Sequence, residues 1–214
     1  DAERAVVEAV DHFGGLDALI LNAGIGGEGS LLDLEPQTFE DVFRVNVKTG
    51  EEKLIAQNPG NITSWGTDHD GKLRVAGATD GVNTSILYRA TEDEPFKPIL
   101  TTNFKETVAP LFFIFDNKQL YVASNRGRDR MAIHVFDPAT AREGEMLVDH
   151  PEVDVDALTY SRKRKVLTTA RWIEWKTERR FFDAETEAMY RDVESKVPGY
   201  EISFTSASKA EDKF

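Results

Sequence analysis

From about residue 47 onward, apolar residues and one aspartate recur along the chain at an interval of 46 or 47 residues. The positions separated by 47 residues are Leu73 with Leu120, Val75 with Val122, Ile86 with Ile133, Tyr88 with Val135, and Leu100 with Leu147. Those separated by 46 residues are Leu120 with Val166, Phe136 with Phe182, Asp137 with Asp183, and Leu147 with Val193. The series Trp65, Phe112, Leu158 and Phe204 keeps the same interval. The repeat predicts a series of equivalent structural units.

Each unit has the sequence pattern of four short strands. Runs rich in β-branched and aromatic residues alternate with turn signals such as Asp70-Gly71, Asp80-Gly81 and Asp116-Asn117. A four-stranded unit of this length is a propeller blade, and the 168 residues of 47–214 hold about three and a half of them. The sequence therefore predicts a mainly β fold with a partial β-propeller of four-stranded blades, truncated inside a strand at Phe214.

Residues 1–46 differ from the rest of the chain. They hold ten acidic and two basic residues, a net charge of −8, whereas residues 47–214 hold 28 acidic and 24 basic residues, a net charge of −4. A helical pattern is followed by a short apolar strand at 16–21, a glycine-rich loop, and a second helix that begins in residues 34–43. We expect a short α/β (Rossmann-like) fragment over 1–46, followed by an incomplete β-propeller over 47–214.

The first segment resembles the short-chain dehydrogenase/reductase family through residues 15–24, which contain Asn22-Ala23-Gly24, and through residues 43–47. The resemblance implies that Asn46 is the counterpart of an asparagine in that family's catalytic tetrad. It also implies a cofactor-binding glycine turn upstream of Asp1 and a Tyr-x-x-x-Lys pair downstream. No tyrosine of this chain is followed by lysine at the fourth position.

Residues 24–29 match the pattern G-x-G-x-x-G and follow the predicted strand. In a dinucleotide-binding fold a helix opens directly from this turn, and an acidic residue about 20 positions later contacts the ribose. Neither feature is present in the sequence pattern here. We therefore interpret these glycines as a loop and predict no bound cofactor.

The second segment resembles the non-catalytic propeller of the prolyl oligopeptidase family of serine peptidases, in particular its dipeptidyl-aminopeptidase-like members. The segments that carry the resemblance are residues 47–52, 67–73, 115–127 and 136–138. The resemblance implies a propeller that caps a separate hydrolase domain and filters substrates. The chain contains no G-x-S-x-G, the motif that holds the nucleophile of such a hydrolase.

These observations predict a structural or substrate-gating fragment with no chemistry of its own. Two alternatives stay open: a fragment of an NAD(P)-dependent short-chain oxidoreductase, and the N-terminal part of a serine dipeptidyl or oligopeptidase whose hydrolase domain lies elsewhere. Whether the fusion of the two segments is natural or a product of sequence assembly is also open at this point.

Other polar residues receive structural interpretations. The scattered histidines His12, His69, His134 and His150 are expected to be structural or surface residues. Glu152, Asp154 and Asp156 alternate as on one face of a strand, but they are separated by valines, so no metal site is predicted. There are two basic groups: the first is Arg126, Arg128 and Arg130, and the second is residues 162–165. We expect them either to lie at solvated hairpin tips or to bind an anionic peptide terminus.

The formal net charge of −12 disfavours nucleic acid and anionic membrane surfaces as partners. The chain has no cysteine, no long apolar stretch and no visible signal peptide, so we expect a cytoplasmic protein, or a periplasmic one if a leader precedes Asp1. The expected partners are a missing hydrolase domain or a peptide substrate. We also expect self-association, because incomplete blades leave apolar faces uncovered and strand edges unpaired.

Overall fold

The computed structural model describes residues 41–46, 48–204, 206–208 and 210–212, with Asp156 described by its backbone alone. The helix, strand and loop expected within residues 1–40 lie outside the described residues. The described elements are β1 Val42–Val45, β2 Glu52–Ala56, β3 Ile62–Thr67, β4 Leu73–Thr79, β5 Thr84–Tyr88, β6 Lys97–Thr102, β7 Val108–Phe113, β8 Leu120–Ser124, β9 Ala132–Asp137, β10 Arg142–Val148, β11 Val155–Ser161, β12 Val166–Ile173, β13 Thr177–Phe181 and α1 Ala184–Lys196.

The strands form antiparallel sheets in which consecutive strands are neighbours. A first four-stranded sheet has the order β3-β4-β5-β6, and a second has the order β7-β8-β9-β10. A three-stranded sheet follows with the order β11-β12-β13, and β1 and β2 form a two-stranded hairpin. The prediction of a mainly β fold built from four-stranded units is confirmed.

The structure reproduces the repeat seen in the sequence. Leu73, Leu120 and Val166 are the first residues of β4, β8 and β12, so each opens the second strand of its sheet. Trp65, Phe112 and Leu158 lie on β3, β7 and β11, the first strand of each sheet. Residues one repeat apart in the sequence therefore occupy the same strand position in successive sheets.

The third unit departs from the prediction after its third strand. Val193, expected in a fourth strand equivalent to that of Leu147, lies in α1. The helix begins because the carboxylate of Asp183 accepts a hydrogen bond from the backbone N–H of Thr186, and Glu185 and Glu187 occupy its first turn.

Phe204, expected on an inner strand, lies outside any described strand. Its ring instead packs edge-on against Tyr190 of α1, with 4.8 Å between ring centroids. Replacement of the fourth strand by a helix thus changes the environment of both positions.

The helix predicted to begin in residues 34–43 does not include Val42 and Phe43. Both residues lie in β1, which pairs antiparallel with β2. The cause is local, because Asn46 closes the hairpin: its backbone C=O accepts from the N–H of Gly50 at 2.7 Å. The proposed boundary between residues 46 and 47 falls inside this turn and stays a prediction.

Apolar side chains fill the spaces between neighbouring sheets. One cluster lies between the first and second four-stranded sheets, and its buried members are Val75, Ile86, Val108, Phe113, Leu120, Val122 and Phe136. A second cluster lies between the second sheet and the three-stranded sheet, and its buried members are Ala123, Ile133, Val148, Val155, Leu158 and Ala170. Face-to-face packing of successive sheets therefore supplies the core, as stacked repeat units require.

Candidate functional site

A cavity of about 420 Å³ lies between the three-stranded sheet, helix α1 and the C-terminal residues Phe204, Ser206, Ala207 and Glu211. Its lining residues are Thr159, Tyr160, Ser161, Arg164, Thr168, Thr169, Glu185, Thr186, Met189, Tyr190, Phe204, Ser206, Ala207 and Glu211. The volume falls in the range of small-molecule binding sites. We call this space the α1 cavity.

Threonine hydroxyls line the sheet side of the α1 cavity. The hydroxyl of Thr159 on β11 lies 2.7 Å from that of Thr168 and 2.8 Å from that of Thr169, both on β12. The backbone N–H of Thr169 also donates to the Thr159 hydroxyl, at 3.1 Å. The pairing of β11 with β12 shifts register between Leu158 and Tyr160, which leaves Thr159 opposite both Thr168 and Thr169 and brings the three hydroxyls together. Each hydroxyl can exchange its present partner for a polar ligand atom.

An ion pair bounds the cavity where β11 turns into β12. Arg164 donates to the carboxylate of Asp183 at 2.5 Å and to the hydroxyl of Thr186 at 3.1 Å. The hydrogen bond to Asp183 raises the pKa of Arg164. Burial alone would raise the pKa of Asp183, but hydrogen bonds from Thr186 and Arg164 outweigh it and hold that pKa below its usual value. Both groups are therefore charged at neutral pH.

Glu211 contributes a second carboxylate. It accepts from the Ser161 hydroxyl at 2.5 Å and from the backbone N–H of Lys163 at 3.0 Å. Burial acts to raise its pKa, but these hydrogen bonds act more strongly in the other direction and the pKa of Glu211 is lowered. The C-terminal segment is thereby tied to the turn between β11 and β12.

The opposite wall of the cavity is apolar. Tyr190 is buried, and its ring contacts those of Phe204 and Phe181 with centroid distances of 4.8 and 5.4 Å. Met189, the preceding residue of α1, also lines the cavity. A hydroxyl-lined floor facing an aromatic and thioether wall suits a ligand with both polar backbone atoms and apolar side chains.

Tyr160 joins the cavity to an aromatic cluster that bridges all three of the larger sheets. The His69 ring stacks on Phe115 at 4.5 Å and meets Tyr160 edge-on at 5.2 Å. Phe112 packs against Tyr160 at 4.5 Å. The Nε2 of His69 is 2.7 Å from the carbonyl oxygen of Phe113, so this nitrogen carries the proton and donates. His69 is thus a structural residue between sheets, in agreement with its sequence interpretation.

Asn46, the counterpart of the dehydrogenase asparagine, lies in the exposed turn of the β1–β2 hairpin. Its side-chain oxygen accepts from the backbone N–H groups of Lys48 at 3.0 Å and Thr49 at 3.3 Å. This is the hydrogen bonding of an Asx turn. The catalytic correspondence stays a prediction from the resemblance.

The alternating acidic residues do not share one strand face, because β11 begins only at Val155. Asp154 accepts from the backbone N–H of Met131 at 2.8 Å. Within the described part of the chain, no group of three or more His, Asp or Glu side chains is arranged to hold a metal ion.

The two basic groups lie at opposite ends of the strands. Residues 126–130 follow β8, whereas residues 162–165 follow β11. Consecutive strands are antiparallel, so the turn that follows an even-numbered strand and the turn that follows an odd-numbered strand lie at opposite ends of the strands. Arg128 pairs with Asp149 at 3.1 Å, and Arg164 pairs with Asp183. The structure therefore does not bring the two groups together as one anion site.

His150 belongs to a surface cluster with Trp172 and Glu174. Its Nδ1 accepts from the backbone N–H groups of Glu152 and Val153, both at 3.3 Å, and its Nε2 lies 3.3 Å from a Glu174 oxygen. The imidazole stacks on Trp172 at 5.4 Å. These contacts agree with a structural role for His150.

Sequence reasoning did not identify the α1 cavity. Its walls come from β11, β12, α1 and the C-terminal segment, and no short motif joins these elements. The available signal was the run of strong helix formers in residues 184–196, which could have shown that the third unit lacks a fourth strand.

None of the helices that the structure describes is both long enough and apolar enough to cross a membrane.

Comparison with known families and proteins gives two separate similarities. The profile of the short chain dehydrogenase family matches residues 1–50. Versicolorin reductase 1 of Aspergillus parasiticus is 47% identical over 45 residues, which is 21% of this chain and 17% of that protein. Versicolorin reductase stcU of Emericella nidulans is 49% identical over 41 residues, 19% of this chain and 16% of that protein.

The second similarity is to a dipeptidyl aminopeptidase and to a puromycin hydrolase. Dipeptidyl aminopeptidase BIII of Pseudoxanthomonas mexicana is 28% identical over 120 residues, which is 52% of this chain and 16% of that protein. A solved structure of a puromycin hydrolase S511A mutant complexed with PGG aligns with a TM-score of 0.35 at 24% identity, covering 43% of this chain and 15% of that one.

The matched segments span only 16 or 17% of the curated relatives' own lengths. Both resemblances drawn from the sequence are nevertheless confirmed. The chain combines similarity to the propeller region of a dipeptidyl aminopeptidase with a short segment similar to the short chain dehydrogenase family.

Proposed function

We propose that the β part of this chain is a non-catalytic propeller fragment that positions or admits peptide substrates in a serine-peptidase-like protein. The similarity to a dipeptidyl aminopeptidase supports the class of protein. The α1 cavity is the observation that carries the ligand-binding role, because a space of about 420 Å³ can accommodate a short peptide segment.

The chemistry of the walls favours a peptide over a highly charged ligand. Peptide N–H and C=O groups need acceptors and donors, which the hydroxyls of Thr159, Thr168 and Thr169 supply in either direction. Apolar side chains find a surface at Met189 and Tyr190. The guanidinium of Arg164 pairs with Asp183 and also lies 3.3 Å from Glu185, and the carboxylate of Glu211 lines the same cavity, so the rim carries net negative charge and disfavours anionic ligands.

Titration calorimetry with uncharged-side-chain tri- and tetrapeptides tests this proposal. Thr159→Val keeps the shape of the side chain and removes the hydroxyl that both partner threonines contact, so we expect affinity to fall about fivefold, corresponding to one hydrogen bond. Thr84→Val is the matched control, because its hydroxyl makes the same kind of cross-strand contact, 2.9 Å from that of Thr102, outside the cavity. Absence of binding, or equal weakening in both variants, contradicts the proposal.

The match of residues 1–50 to the dehydrogenase family favours a second candidate, a fragment of an NAD(P)-dependent oxidoreductase. We expect no nicotinamide binding, because the sequence holds no Tyr-x-x-x-Lys pair. Titration with NADH and NADPH discriminates between the candidates, since micromolar affinity would support the oxidoreductase candidate. The third candidate, the N-terminal part of a serine peptidase, is tested by reading the coding frame around this sequence for G-x-S-x-G.

A further inference from the structure

Strand β13 is the outer strand of its sheet, at a position where the two four-stranded sheets continue. In those sheets the third strands β5 and β9 pair with the fourth strands β6 and β10. In the third unit α1 follows β13, and no described residue pairs with the outer edge of β13. An unpaired strand edge is a template for another strand.

The hydrogen bonds at either end of β13 show which backbone groups point outward. The N–H of Phe182 donates to Thr168 on β12, and the N–H of Glu174 donates to Lys176 across the hairpin turn. Even-numbered residues therefore bond inward to β12. Because bonding direction alternates along a strand, the N–H and C=O groups of Thr177, Arg179 and Phe181 face the open edge.

The edge of β13 is also more regular than the other outer edges of the described sheets. Its pairing with β12 continues without a register shift from Ile173–Thr177 to Thr169–Phe181. By contrast, β6 contains Pro98 and a shift in its pairing with β5, and the pairing of β10 with β9 shifts twice. Proline and bulges prevent edge-to-edge pairing, and β13 has neither. Its charged side chains, Glu178, Arg179 and Arg180, disfavour any partner strand that does not offer complementary charges.

We propose that β13 pairs antiparallel with β13 of a second copy of this chain, centred on Arg179. In this register Glu178 of each copy lies opposite Arg180 of the other, which gives two complementary charge pairs on the same face. Moving the centre by one residue places Glu178 opposite Glu178, or Arg180 opposite Arg180. The sequence of the edge thus favours one symmetric register over its neighbours.

The central arginines do not oppose this arrangement. The guanidinium of Arg179 donates to the backbone oxygen of Ile202 at 2.6 Å and lies over the ring of Tyr190 at 4.9 Å. It is therefore turned toward α1 of its own subunit. Arg180 lies on the other face, where its guanidinium donates to the backbone oxygen of Leu147 at 3.4 Å and lies over the ring of Phe182 at 5.2 Å. The side chain is still exposed, so its remaining N–H donors can meet a carboxylate of a partner strand.

Charge reversal tests the pairing in the full chain, with dimerisation measured by sedimentation velocity over a concentration series. Glu178→Arg and Arg180→Glu should each weaken the dimer at least tenfold, because each places like charges opposite one another. The double variant, and an equimolar mixture of the two single variants, should both recover dimers. Glu145→Arg, which makes the same change on exposed β10, should dimerise like the unaltered chain.

A monomeric unaltered chain would overturn the proposal, as would single variants that dimerise normally or larger aggregates that no charge change affects. If a single variant fails to fold, the double variant still decides the question, because failure of a folded double variant to dimerise contradicts the register. This inference does not depend on the peptide-binding role of the α1 cavity.

Discussion

The backbone N–H of His69 donates to the side-chain oxygen of Asn117 at 3.0 Å, and this contact recurs 94 residues later. There the backbone N–H of Lys163 donates to the side-chain oxygen of Glu211, also at 3.0 Å. The interval of 94, from 69 to 163 and from 117 to 211, is twice the repeat of 47. Asn117 and Glu211 are thus structurally equivalent, because each side chain ties its own turn to the turn of an earlier repeat.

Asn117 should be important for stability because it combines two roles. Its φ of 58° is in the left-handed region, and its amide also donates to Asp70 at 2.9 Å. Asn117→Gly should cost about 1–2 kcal/mol through lost hydrogen bonds. Asn117→Ala should cost about 1 kcal/mol more, because alanine tolerates the left-handed region poorly. Urea unfolding followed by circular dichroism measures both values, and equal stability of the two variants would contradict the assignment.

Asp183 should make the stability of the third unit depend on pH. Its pKa is lowered in the folded chain, so its contribution to stability is full above the ordinary aspartate pKa of about 3.9. The contribution is lost as the pH falls from there through the lowered folded-state pKa. Asp183→Asn keeps a good N-cap but removes the charge pairing with Arg164. We expect a loss of about 1 kcal/mol near pH 7 and a smaller loss at about pH 3, because below the ordinary aspartate pKa the unfolded chain takes up a proton that the folded carboxylate resists.

Urea unfolding at the two pH values checks this prediction. Asp192→Asn is the control, because Asp192 makes an exposed i,i+4 pair with Lys196 at 2.6 Å that should contribute little. A pH-independent difference between the unaltered chain and Asp183→Asn would refute the role of the charge.

His134 and His69 should respond oppositely to the same substitution. Both ring nitrogens of His134 are buried and have no hydrogen-bond partner among the described residues. Removing them in His134→Leu should raise the free energy of unfolding by about 1 kcal/mol. His69→Leu should lower it by about as much, because His69 loses its bond to the Phe113 oxygen and its stacking on Phe115. Thermal unfolding compares the two, and destabilisation by both would contradict the prediction for His134.

The chain should not cleave chromogenic dipeptide substrates. The prediction follows from the sequence, which contains no G-x-S-x-G nucleophile motif. Turnover blocked by a serine-directed fluorophosphonate, with the label recovered on this chain, would contradict it.

The repeat was accessible from the sequence because it depends on local chemistry. The turn residues Gly71 and Asn117 recur in successive units, and both have positive φ. Alternating apolar residues between such turns specify short strands wherever the chain places them. The strands that open with Leu73 and Leu120 were therefore predictable, whereas Val193 was assigned to a strand because its apolar character fits either structure.

The candidate site was not accessible in the same way. Thr159 and Thr168 are ordinary strand residues in the sequence, and Tyr190 is an ordinary helix residue. They form a cavity only because α1 packs back toward β11 and β12 and the ring of Phe204 closes against Tyr190. Nothing in the spacing of these residues indicates that approach.

The sequence by itself determined the mainly β class, the interval of the repeat and the two family resemblances, because hydrophobic periodicity and turn chemistry act over a few neighbouring residues. The tertiary structure alone decided that α1 replaces a fourth strand, that the two basic groups lie at opposite ends of the strands, and that the outer edge of β13 is unpaired among the described residues. These features depend on which faces pack together over long distances along the chain, and such contacts leave no local pattern in the sequence.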